Sequence, residues 1–214
     1  MRATLLTAAL AVPFSTVCLA QQWEVGAAAG YGFYNNASIG DPVTGVSASA
    51  GFHPGFALGA FFAENMYEHV GGELRYLFLW GAPELQFNDI RASMRGYTNL
   101  VVYDVLVHMT SRDSKVRPFL AGGAGIKVFT GTSTQFLTQP LQQFAVLFPH
   151  TEVEPAISVG GGIKYRAGRH VLLRADFRTY MSPLPDRLFR VPRFNETRGW
   201  VYNFVPQAGI GYTF

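Results

Sequence analysis

Val205-Pro206-Gln207-Ala208-Gly209-Ile210-Gly211-Tyr212-Thr213-Phe214 closes the chain, and it reads with a period of two. One face carries Pro206, Ala208, Ile210, Tyr212 and Phe214. The other carries Gln207, Gly209, Gly211 and Thr213, with Val205 at its start. Strict alternation marks a strand whose two faces meet different environments. The apolar face ends in two aromatics at the terminus, a place where chains commonly fray unless tied down.

The same period recurs upstream. Strands are predicted over residues 23–34, 55–66, 71–80, 95–109, 116–130, 155–166 and 170–181, so the closing stretch is the eighth. In the third, Leu74, Tyr76, Phe78 and Trp80 share a face, and Glu73 and Arg75 share the other. In the seventh, Val171, Leu173, Ala175, Phe177 and Met181 oppose Arg174, Asp176, Arg178 and Tyr180. The connections alternate in length. Residues 67–70, 110–115 and 167–169 are short turns. The stretches 35–54, 81–94, 131–153 and 182–202 are long, rich in turn formers, and read as loops. Within them, 45–52 has the pattern of a strand extension. Phe136, Leu137, Leu141, Phe144 and Leu147 have the spacing of a short amphipathic helix.

The strand charges choose between a soluble and a membrane reading. Glu24, Glu73, Arg75, Asp104, Lys127, Lys164, Arg166, Arg174, Asp176 and Arg178 all fall on the face opposite the apolar one. A Lys or Arg on the lipid face at mid-membrane costs about 2–4 kcal/mol, so the charged face points inward and the greasy face meets hydrocarbon. An eight-stranded barrel has room inside only for side chains. The expected interior is therefore a packed polar plug, in which these ten residues form a charge network and the glycines beside them make space for long Arg and Lys stems. Trp23, Tyr31, Phe33, Trp80, Tyr97, Tyr165, Tyr212 and Phe214 lie near strand ends on the outer face, where amphipathic rings suit the two membrane interfaces.

Composition agrees. The 214 residues suffice for one all-β domain; Gly 23 and aromatics at 14% are high, and charged residues at 14% are low. A net charge of +3 is too small and too scattered to suggest nucleic acid. Residues 1–20 read as a signal peptide, with Arg2 at the start, an apolar run to Val12, and Val17-Cys18-Leu19-Ala20 before the expected cut. That leaves 21–214 as the barrel domain. Removing Arg2 lowers Lys+Arg from 17 to 16 against 14 acids, and removing Cys18 leaves no cysteine. No later stretch reaches 18 uninterrupted apolar residues, so no spanning helix is expected.

Four stretches carry a resemblance to the OmpA-like outer-membrane β-barrel superfamily: Gly71-Gly72-Glu73-Leu74-Arg75-Tyr76, residues 117–125, residues 173–180, and Gly209-Ile210-Gly211-Tyr212-Thr213-Phe214. The resemblance implies an all-β, transmembrane, eight-stranded antiparallel up-and-down β-barrel in the bacterial outer membrane. It also implies delivery by periplasmic chaperones and insertion by the outer-membrane assembly machinery, with Ile210, Tyr212 and Phe214 as the C-terminal signal. Outer-membrane lipid and lipopolysaccharide are the expected surroundings, and a monomer is the expected state. Members that bind peptidoglycan carry a further C-terminal domain, so that role is not expected here.

Little in the sequence points to chemistry. Some similar barrels act on lipid A with His beside Ser or Asp near the outer rim. The candidates here are His53, His150, Ser47 and Ser49, whose spacing follows no motif. His108 and His170 flank the short turns, away from the outer leaflet. Asp176 between Arg174 and Arg178 reads as an ion-pair hub. No metal or cofactor motif is present. Arg187, Arg190, Arg193 and Arg198 suit phosphate geometry. The leading expectation is a non-enzymatic structural or interaction protein, with a lipid A-modifying enzyme or a narrow pore as alternatives. A soluble lipid-binding barrel would require the opposite polarity, with charges outside.

Overall fold

The computed structural model describes residues 22–41, 45–65, 67–132, 139–192 and 196–214, with backbone only at Gln22 and 196–198. The expected export segment lies outside these residues, as do Phe136, Leu137 and Arg193. Eight strands form the wall: β1 (Gln22–Asn35), β2 (Gly55–Asn65), β3 (Val70–Trp80), β4 (Gly96–His108), β5 (Val116–Gly131), β6 (Thr151–Arg166), β7 (Val171–Pro183) and β8 (Trp200–Thr213). Each pairs antiparallel with its chain neighbours, and β1 pairs with β8, so the sheet closes. Closure removes the unpaired edges that an open sheet exposes.

The closing strand is held on both sides. Ile210 lies opposite Ala27 on β1 and opposite Leu173 on β7. The Phe214 N–H donates to the Trp23 carbonyl at 3.1 Å, and the Trp23 N–H donates back to Phe214 at 3.2 Å. Pairing, rather than side-chain burial, ties this end down.

The outer face of the wall is predominantly apolar; its few polar groups, such as Glu64 and Asn99, accept hydrogen bonds from the outward-facing Tyr103 and Tyr76. Val105, Leu120, Ile126, Ile163, Phe177 and Ile210 all point away from the axis, and Leu120 and Ile210 are each 55% exposed. A continuous belt of this kind far exceeds the apolar patches that soluble monomers show, and it requires a hydrocarbon surrounding. Aromatics cluster near its two margins. Phe78 packs against Trp80 and Tyr97 at one end, and Trp23 stacks on Phe62 at 5.0 Å at the other. Among the described residues no helix is long and apolar enough to cross a membrane.

The long connections differ from the sequence reading. Residues 35–54 and 81–94 are not loops. They supply Ala37–Gly40, Ser47–Phe52, Pro83–Phe87 and Ile90–Ser93, which join Glu196–Arg198 in a separate five-stranded sheet over the long-loop end. Only the 45–52 extension was legible. The Pro83–Ser93 hairpin turns at Asn88, whose φ of 52° is the left-handed conformation a two-residue hairpin turn demands. The expected helix is also absent among the described residues: 140–144 form turns and Val146–Leu147 pairs with Phe189–Arg190. β6 starts at Thr151 instead of 155, and β7 and β8 reach further into the last connection than expected. Strands that rise past the membrane keep their pairing but lose the alternation that reveals them.

Candidate functional site

Inward positions on the eight strands bring distant charges together. From β3, Glu73 and Arg75 project inward; from β7, Arg174, Asp176 and Arg178 do so; Asp104 comes from β4, Glu24 from β1 and Lys164 from β6. All eight are at least nine-tenths buried. Arg75 donates to Glu73 at 2.7 Å and to Asp176 at 2.9 Å. Arg178 donates to Asp104 at 2.6 Å and to Glu73 at 3.2 Å. Arg174 bridges Glu73 and Asp176, and Lys164 pairs with Glu24. Glu73 thus meets three guanidinium groups.

Two of the ten expected network residues stand apart. Arg166 is only half-buried, at the short-turn mouth, and donates to the Arg112 carbonyl at 2.6 Å. Its place at the last residue of β6 puts it past the network. Lys127 is fully buried but reaches no carboxylate; its ammonium lies 5.1 Å from the Phe129 ring and 5.9 Å from Tyr34. It sits some ten residues up β5, above the other charges. Their departure changes the balance: four acids (Glu24, Glu73, Asp104, Asp176) face four bases (Arg75, Lys164, Arg174, Arg178). A buried cluster tolerates no large excess of one sign, because each unpaired ion retains its desolvation cost.

Sequence reasoning missed two residues at the heart of this network. Phe61 and Phe119 point inward, and the Arg174 guanidinium lies 4.4 Å from one ring and 5.0 Å from the other. A planar cation held between aromatic faces gains cation–π attraction where little water competes. Both residues occupy inward parity in their strands, so alternation placed them correctly while leaving their role unread. The glycine spacing is tight as well. A Cβ on Gly160 would lie 2.7 Å from Arg178 Cδ and would clash with the Phe177 carbonyl.

The interior is layered, and this corrects the expectation of a polar plug throughout. Above the charges lies an apolar layer containing Leu77, Leu79, Leu100, Val102 and Val205. Above that, Phe129 and Val201 from the wall pack with Ile39, Phe52 and Leu85 from the separate sheet and with Leu188 and Phe189. Phe52 stacks on Phe129 at 4.8 Å and meets Phe189 edge-on. Lys127 lies within this apolar zone.

The histidine candidates do not assemble a reaction centre. His53 Nδ1 engages the carbonyl of the adjacent Pro54, while Ser47 and Ser49 lie along a cap strand opposite Gly40 and Ser38. His150 lies just before β6 at the long-connection end of the barrel, where its carbonyl accepts from the Gly131 N–H. No group of three His, Cys, Asp or Glu side chains suited to a metal ion occurs among the described residues. Of the loop arginines, Arg187 is exposed and 4.0 Å from Glu152, and Arg190 lies over the Phe148 ring.

Solved structures share this architecture from end to end. A crystal structure of Neisserial surface protein A superposes with a TM-score of 0.55 at 12% identity, over 90% of this chain and 97% of that one. The outer-membrane protein OprG of Pseudomonas aeruginosa gives 0.56 at 15% identity, over 91% and 96%. A major outer-membrane protein of Thermus thermophilus gives 0.52 at 13%, over 90% and 99%. This is the fold of an eight-stranded outer-membrane β-barrel. No protein-family model and no curated protein matches the sequence. In an outer-membrane barrel the short turns face the periplasm and the longer connections face outward. The charge network of this barrel is thus toward its periplasmic half, and the five-stranded sheet is an external cap.

Proposed function

We propose that this chain is a non-catalytic outer-membrane protein with a closed bore, whose folded external cap acts as a contact surface for envelope or external components. The single observation that carries the reading is the apolar seal. Leu77, Leu79, Leu100, Val102, Phe52, Phe129 and Phe189 fill the outer half of the interior, above a neutral ion-paired layer. An ion crossing this route would shed most of its hydration shell against a lining that is largely hydrocarbon, interrupted by only a few buried polar groups such as Thr98, Lys127 and Asn203. A pore therefore fits this interior poorly, and the cap, ordered by the core it shares with the wall, is the feature left to make contacts. Lipopolysaccharide is the nearest anionic candidate, and exposed Arg187 and Arg190 on the last connection have the chemistry for its phosphates. The C-terminal Ile210, Tyr212 and Phe214, outward-facing and on a strand paired at both edges, suit recognition by assembly machinery before the barrel closes.

Planar-bilayer recording of the refolded protein tests the closed bore. Folded protein, identified by heat-modifiable migration in a detergent gel, is expected to give no stable conductance steps. Reproducible steps from that material would overturn the reading and favour a narrow pore.

A further inference from the structure

The periplasmic mouth holds a cluster of cations that the ion-pair network does not use. Just inside the short turns is a largely enclosed cavity of about 60 Å³, lined by Arg112, Arg117, Lys164, Arg166 and Arg169, with Glu24 as its one carboxylate. Glu24 is already matched: one oxygen meets Lys164 and the other lies 3.9 Å from Arg174. Setting that pair aside leaves four arginines around the space and no lining acid.

Arg117 and Arg166 are held in place by neutral acceptors. Arg117 is nine-tenths buried; its two terminal nitrogens donate to Asn65 Oδ1 at 3.1 Å and to the Glu68 carbonyl at 2.6 Å. Arg112 donates to the Asn65 carbonyl at 2.7 Å, and Arg166 donates to the Arg112 carbonyl at 2.6 Å. Each bond ties a guanidinium to a turn of a different hairpin. The Arg117 Nε hydrogen is buried and reaches no acceptor among the described residues. Glu68 and Asp113 lie on the neighbouring turns, exposed and outside the cavity lining. Arg117, Arg166 and Arg169 bring like charge to one small space, which is repulsive unless an anion fills it, and a buried donor without an acceptor is costly. The space is several times what one water molecule needs.

We propose that this cavity binds a phosphate group. Arginine presents a planar fork of donors that matches phosphate oxygens two at a time, and three such forks approach the cavity from a turn and from β5 and β6. The group is either free inorganic phosphate or the headgroup of a periplasmic-leaflet phospholipid entering from the rim, where Lys115, Arg166, Arg169 and His170 line an open groove. Occupancy would cross-brace the turns and raise the resistance of the barrel to unfolding, since a ligand that binds only the folded state stabilises it. The site does not depend on the bore being closed.

The test uses the full refolded chain in phosphate-free maltoside micelles, with the temperature of the gel-shift transition as readout. Inorganic phosphate is expected to raise that temperature above chloride at equal ionic strength. Arg166→Gln with Arg169→Gln is expected to weaken the phosphate response by about tenfold or more in concentration, as loss of charge-assisted bonds implies. Both residues lie outside the buried network, so the double variant keeps the folded gel form. Arg91→Gln, on an exposed cation of the external cap far from the cavity, is expected to leave the response unchanged. A second arm uses maltoside micelles with and without added phosphatidylglycerol. A response to inorganic phosphate assigns the site to the free ion, and a response to phosphatidylglycerol alone assigns it to the headgroup. No response to either, or a response equal in wild type and the double variant, overturns the proposal.

Discussion

On β4 and β5 of the wall, Val105 and Ile126 stand exposed while Asp104 and Lys127 beside them are buried. In the cap, Ala48 and Ala50 are buried while Ser47 and Ser49 are exposed. Both regions are antiparallel strands with a period of two, yet their polarities are opposite. The wall turns apolar groups outward because its surroundings are hydrocarbon; the cap turns them inward because its surroundings are water. The two regimes meet inside the barrel near Leu77, where inward side chains change from the charged layer to the apolar one. Polarity of a β face is therefore set by depth along the molecule, and each half can be perturbed separately.

The largest effect is expected in the charged layer. Glu73→Ala leaves Arg75, Arg174 and Arg178 short of a shared partner, and removing one member of a buried pair costs about 3–5 kcal/mol. Urea unfolding in lipid vesicles should show this as a lower midpoint; a wild-type midpoint would mean that water reaches the cluster. Leu85→Ala empties a fully buried site in the cap and should cost about 2–5 kcal/mol there. Limited proteolysis should then cut the cap while heat-modifiable migration of the wall persists. If the wall is lost as well, cap and barrel fold as one unit and the comparison fails.

Next is the paired test of polarity. Val105→Arg on the wall should destabilise by about 2–4 kcal/mol, because the cation enters hydrocarbon. Val46→Arg, on the exposed side of the cap, should stay within about 0.5 kcal/mol of wild type. Equal effects at the two sites would remove the distinction between the solvents. The smallest effect concerns Lys127, buried in the apolar zone with its ammonium bonded to no acceptor among the described residues. Lys127→Met should raise the unfolding midpoint, by about 1–3 kcal/mol, since an unsatisfied donor disappears. A lowered midpoint would show that the cation has a partner in solution.

The strands that cross the membrane were legible because each residue there meets one of two sharply different media. Leu74, Tyr76 and Phe78 alternating with Glu73 and Arg75 leave one arrangement open. Above the membrane that contrast fades. Leu77 and Leu79 face inward although they are as apolar as their outward neighbours, so neither the apolar layer nor the seal it forms stands out from the pattern. The cap hairpins are short and rich in Ala, Ser and Gly, and their turn at Asn88-Asp89 lacks a glycine. They read as loop because what makes them strands is pairing with residues far away in the chain, such as Ser49 with Gln86.

By itself the sequence determined the number of wall strands, their order, and which face of each is charged, since a period of two forces every second residue to share a medium. The tertiary structure alone decided which charges meet. Closure of the sheet sets Glu73 against Arg174 and Arg178 from four strands away around the wall, leaves Arg166 at the mouth and strands Lys127 among rings, because height within the barrel depends on strand stagger and not on local pattern. It also decided that arginines of two turns and two strands surround one cavity, an outcome no single stretch of chain could have disclosed.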